Sequence, residues 1–211
     1  MFDHEDGLVH CPYDTSTVWE LIKTHFNVET RFDLLDHCYA KFDKAFYAGL
    51  CAKLAAAARN GDALCRHLFE EAGRFLGKAT TALLPRVNPQ LVLDGTFNIV
   101  CVGSVWKSWD LLKIGYLREV SKCDVNFGIN LIQLTQAMAL GAVYIAADHI
   151  KYDLPRNYSN NYEIFHYYHK TKAAYTEASP AKHTNGATLK NGAAKNGATT
   201  NGHDAPPQIQ C

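Results

Sequence analysis

Apolar side chains recur at helical spacing along most of the first 175 residues, and at strand spacing in only two places. Asp14-Thr15-Ser16-Thr17 with Glu20 predicts a capping box, opening a helix whose stripe is Val18, Ile22 and Phe26. A short helix is expected near Phe32 to Tyr39. Ala45 to Asn60 is alanine-rich, carries Leu50 and Leu54 one turn apart, and ends at Asn60-Gly61. Asp62 caps a long helix to Leu84, with Leu64, Leu68, Ala72, Phe75, Ala79 and Leu83 expected inward and Pro85 ending it.

Asn98 to Val102 is a short apolar run between Gly95 and Gly103, the pattern of a buried parallel strand. A helix follows through Trp109, Leu112 and Tyr116. Val125, Phe127, Ile129 and Leu131 alternate as a second strand, Ala137 to His149 reads as a small-residue helix able to pack tightly, and a last tyrosine-rich helix is expected around Tyr162 to His169. The class is therefore α/β, mostly helical, with about two strands. Two parallel strands do not make an independent sheet, so the pattern predicts that some sheet partners lie outside these residues.

Composition divides the chain. From Ser179 it turns to Ala, Thr, Asn, Gly and Lys, with Asn-Gly steps at 185, 191, 196 and 201, too poor in apolar groups to offset its ordering entropy. The expected organisation is a folded segment over 1–175 and a disordered tail over 176–211. The 211 residues carry 21 basic and 21 acidic side chains, and this zero balance removes the broad attraction that drives nucleic-acid and anionic-membrane binding. The acidic start lacks the basic and apolar regions of a secretory signal, and no apolar run reaches membrane-spanning length. Seven cysteines without paired spacing read as reduced thiols, most of them in the core, and the expected compartment is the cytoplasm.

Most candidate chemistry is weak. His166 and His169 share the face of the expected helix but have no third ligand at metal spacing, so no metal site is expected. No cysteine beside a histidine stands at a helix N-terminus, and Asp110, Asp124 and Asp148 each have a simpler role as cap, turn or surface residue. Trp19, Trp106 and Trp109 read as core rather than as a stacking platform for bases. Tyr47-Ala48-Gly49 places small residues where a flat ligand or a neighbouring helix can approach, helix packing being the commoner reason.

The most informative stretch is Cys101 to Trp109, CVGSVWKSW. A strand entering a Gly-Ser turn and then a helix exposes backbone amides at the carboxyl end of a sheet, where open α/β folds bind nucleotides. Gly103 lets a ligand approach the backbone, Ser104 and Ser108 offer hydroxyls, and Lys107 can meet charge. The same residues also read as an ordinary strand-to-helix turn with Ser108 as N-cap.

This stretch resembles the eukaryotic N-acetylglucosamine kinases. The resemblance continues in FDKAFYAGLCAKLA (42–55), NGDALCRHLFEEAGRFLG (60–77), ALGAVYIAADHI (139–150) and YSNNYEIFHYY (158–168). It implies an incomplete ribonuclease-H-like, actin-like ATPase fold: part of the C-terminal nucleotide-binding lobe. It implies ATP, with Mg2+, as phosphoryl donor to the sugar 6-hydroxyl, and Ala48, Ser104 and Ser108 as nucleotide contacts, with Gly103 and Lys107 on the same edge. The family's catalytic Asp, its Gly-rich phosphate loops and its sugar-binding residues have no match in this sequence. The expectation is therefore no catalytic residue, no turnover by these residues alone, N-acetylglucosamine bound only in a complete kinase, and possible pairing as a homodimer or with a full-length subunit.

Overall fold

The computed structural model describes residues 1–170; the expected disordered tail, 176–211, lies outside the described residues. The helices are α1 (Phe2–Glu5), α2 (Ser16–Phe26), α3 (Lys44–Arg59), α4 (Ala63–Leu83), α5 (Trp109–Val120) and α6 (Ala139–His149). The strands are β1 (Val92–Leu93), β2 (Thr96–Val100), β3 (Gly128–Leu134) and β4 (Tyr162–Tyr168), four rather than about two. They form one open sheet in the order β1-β2-β3-β4, parallel only between β2 and β3. Among the described residues no helix is long and apolar enough to cross a membrane.

Local chemistry sets the helix starts. The Asp43 carboxylate accepts from the Ala45 and Phe46 amides to open α3, and Asp62 accepts from Cys65 to open α4. The capping box expected before α2 is absent: the Asp14 carboxylate instead holds Ser16 through both amide and hydroxyl, and Glu20 pairs with Lys23. The region near Phe32 to Tyr39 is not one helix. It is a 3-10 turn at Arg31–Asp33 followed by a wider π-type turn at Asp36–Ala40.

Two core clusters meet along α4 and α5. Val18, Ala55, Ala58, Leu64, Cys65, Phe69 and Leu112 close the helical layer. Leu84, Cys101, Tyr116, Val120, Ile129, Leu131 and Tyr168 join α5 to one face of the sheet. The inward face of α4 differs from that expected. Leu64 is buried, but Leu68, Phe75 and Leu83 are exposed, and Cys65, Phe69, Gly73 and Gly77 face inward instead. The reason is a glycine seam. A methyl group on Gly73 would collide with the Leu112 backbone, one on Gly77 with Tyr116, and one on Gly115 with Glu70 and Arg74. Hydrogen side chains here bring two backbones together, and that approach outweighs the apolar stripe in choosing the face.

The expected final helix is strand β4. A bulge opposite Leu131 and Ile132 turns both Phe165 and His166 toward Trp109, with ring centroids 5.7 and 4.9 Å away. The helical face proposed for His166 and His169 therefore does not exist. α6 does not pack tightly either: Val143 and Ile145 are exposed and only Ala147 is buried. Of the six described cysteines, all free thiols, Cys65 and Cys101 are buried, Cys38 is exposed and three are half-buried.

Candidate functional site

β2 and β3 run parallel from Thr96↔Gly128 to Val100↔Ile132, and the Cys101 amide extends the ladder to the Ile132 carbonyl at 2.8 Å. Beyond this carboxyl end the chain turns at Gly103, whose φ of 108° is a conformation that L side chains rarely adopt. Ser104–Ser108 then form a 3-10 helix running directly into α5.

A 3-10 helix repeats every three residues, so side chains three apart eclipse one another. This sorts the motif into three faces. Ser104 and Lys107 line a cavity of about 340 Å³. Trp106 and Trp109 turn inward against Tyr116 and Phe165, anchoring the turn. Val105 packs on the helical cluster, and Ser108 is buried. Trp106 and Trp109 thus serve as core, as expected.

The cavity lies in the crevice outside the carboxyl ends of the two parallel strands, where open α/β sheets bind ligands. Cys101, Val102 and Gly103 complete the near wall; the far wall is Gln133 and Leu134 at the end of β3 with Gln136, Ala137 and Met138 just beyond it. Burial pushes the Cys101 thiol up to about 11, so it stays protonated at neutral pH and offers no nucleophile.

Three of the five residues singled out in the sequence, Gly103, Ser104 and Lys107, come together on this wall. Ser108 does not line the cavity, and its side chain makes no cap bond to α5. Ala48 is exposed on the first half of α3 and does not line it either. Its neighbour Gly49 faces α2, where an added methyl would sit 3.4 Å from the His25 ring. The helix-packing reading of that small-residue pair therefore applies to Gly49.

The far wall was not anticipated, although the parallel pairing of β2 and β3 makes the chain after β3 the natural second half of such a crevice. Asp110, Asp124 and Asp148 are all exposed surface residues. Asp110 pairs with Arg59, Asp124 with Lys170 and Asp148 with Arg156. Among the described residues no group of three or more His, Cys, Asp and Glu side chains is placed to hold a metal. A larger cavity, about 550 Å³, lies at the opposite end of β3, with Asp124, Phe127 and Lys170 on its wall. No family model matches the chain.

Proposed function

We propose that the chain is a nucleotide-binding unit of the N-acetylglucosamine kinase type, an incomplete ribonuclease-H-like lobe holding ATP at the Gly103–Lys107 turn. The observation that carries this reading is the cavity at the carboxyl ends of β2 and β3, lined by Gly103, Ser104 and Lys107. Open space lies where a Gly103 side chain would stand, leaving the backbone accessible to a ligand. The Ser104 hydroxyl and the Lys107 ammonium supply a neutral and a cationic donor to ribose or phosphate oxygens. Ala48 and Ser108 belong to this proposal through the family resemblance.

When bound, ATP with Mg2+ would supply the transferable phosphoryl group of the family reaction, and the cavity lining itself offers no carboxylate to the metal. Residues of this chain bind and orient. Since the sequence contains neither the Gly-rich phosphate loops nor the catalytic Asp motif, no phosphorylation of N-acetylglucosamine is expected from these 211 residues alone.

Calorimetric titration of the full chain with ATP tests the reading. Saturable binding is expected, weakened about 2–10-fold by Ser104→Ala, the net worth of one hydrogen bond. A cooperatively folded chain that does not bind ATP overturns it.

One observation favours a second, non-catalytic role in pairing with a complete kinase subunit. The sheet face turned away from α5 leaves Val100, Ile164 and Tyr167 between 44% and 49% exposed, an apolar surface suited to a partner. Co-elution with the complete kinase, lost on Val100→Lys, supports this role; separate elution rejects it.

A further inference from the structure

We infer that Arg59 is a positioning residue for the cavity turn, its guanidinium holding the Lys107 backbone and the start of α5 together so that Lys107 stays on the cavity wall. The inference rests on the nucleotide reading above and assigns Lys107 to the phosphates.

Arg59 is the last residue of α3. Its Nε donates to Asp110 Oδ2 at 2.9 Å and its Nη2 to Asp110 Oδ1 at 2.8 Å, a bidentate fork. The same Nη2 lies 3.5 Å from the Lys107 carbonyl oxygen, its second acceptor. One planar cation therefore ties together the end of α3, the 3-10 turn and the first turn of α5. The turn needs such a tie: its opening bond, Trp106 amide to Gly103 carbonyl, is long at 3.4 Å, and the adjoining Gly103 has an unusual backbone conformation. The Trp106 and Trp109 rings anchor the core side of the turn, and Arg59 fastens the backbone at Lys107.

The pair is solvent-exposed, 45% for Arg59 and 54% for Asp110. Exposed ion pairs contribute little to global stability, so loss of positioning and loss of fold are separable. Lysine cannot replace the arginine. A single ammonium lacks the fixed fork needed to meet both carboxylate oxygens and the carbonyl.

The test titrates the full chain and its Arg59→Ala and Arg59→Lys variants with ATP and with adenosine, alongside thermal melts. ATP binding is expected to weaken about five-fold in both variants, a hydrogen bond's net worth, because Lys107 is no longer held for the phosphates. Adenosine affinity and melting temperature are expected to stay as in the unaltered chain. Equal losses for ATP and adenosine, rescue by lysine, or no change overturn the inference. If Arg59→Ala fails to fold, Asp110→Ala opens the same clamp from α5 and must show the same ATP-selective loss; full ATP affinity there overturns the inference. An unaltered chain that binds no ATP overturns the cavity reading itself, an outcome visible before any variant is compared.

Discussion

Gly115→Ala is the most demanding test of the packing between α4 and α5. An alanine methyl here would stand 2.7 Å from the Arg74 amide nitrogen and 2.9 Å from the Glu70 carbonyl carbon, and closer still to the Glu70 oxygen. Ordinary contact begins near 3.4 Å, so clearing the Arg74 nitrogen alone requires roughly 0.7 Å of separation, and clearing the nearer Glu70 oxygen requires more. No rotamer change relieves this, because every obstructing atom is backbone. Parting the helices loosens Phe69, Leu112 and Tyr116, each no more than 4% exposed. Overpacking of this kind costs about 1–3 kcal/mol, and more where the backbone itself must move. Alanine returns about 1 kcal/mol through its better helix propensity. With the cost taken at the upper end of its range, because the obstruction is backbone, the net loss is about 2 kcal/mol, which lowers the melting temperature by about 4–8 °C for a folded region of this size. Thermal circular dichroism and urea unfolding measure it, with Gly141→Ala as control, since a methyl there meets nothing within 4 Å. Gly115→Ala melting at or above the unaltered chain would refute the close approach of α4 and α5.

Two further outcomes follow from single side chains. The His166 ring lies against Trp109, its Nε2 is enclosed without a partner, and burial, helped by the nearby positive Lys113, pushes it down from 6.5 to about 4. The unfolded chain therefore takes up this proton first. The stability contributed by neutral His166 is present above about pH 6.5 and is lost as pH falls toward 4. The full shift, discounted for a half-buried ring, corresponds to about 1–2 kcal/mol. His166→Phe should flatten that part of a urea-midpoint profile against pH, and an unchanged slope contradicts the assignment. Gly103→Ala meets no atom but forces a side chain into a φ of 108°, so about 1–2 kcal/mol of turn strain and weakened ATP binding are expected; unchanged affinity by calorimetry argues against a fixed turn.

What could be read along the chain was what neighbouring residues decide for themselves. α3 and α4 fall within two residues of their expected ends, because Asp62, Asn60-Gly61 and Pro85 act on the backbone next to them. The existence of β2 and the Gly-Ser turn was legible for the same reason, an apolar run and a permissive glycine being local facts. β2 nonetheless runs Thr96–Val100 rather than 98–102 and is not the buried strand expected, since Val100 and Val102 are exposed. Three of the proposed cavity residues followed directly from that turn.

Other features depended on what each segment meets. YEIFHYY has enough aromatic and apolar character for either a helix or a strand, and pairing with β3, with its bulge, makes it β4. The stripe Leu68, Phe75 and Leu83 satisfied helical periodicity, yet the glycines, which carry almost no hydrophobic signal, set the contact face because they let backbones approach. The 3-10 form of Ser104–Ser108, which puts Ser104 and Lys107 on one side and Trp106 and Trp109 on another, depends on those rings finding Tyr116 and Phe165. Arg59 and Asp110 stand 51 residues apart, and the cavity's far wall is built from the end of β3 and the residues after it. Propensity and capping act within a turn or two of chain, so the sequence by itself determined the main helices and the turn. Contact between distant segments is a property of the assembled fold, and only the tertiary structure decided which faces met, what β4 became and which walls enclose the cavity.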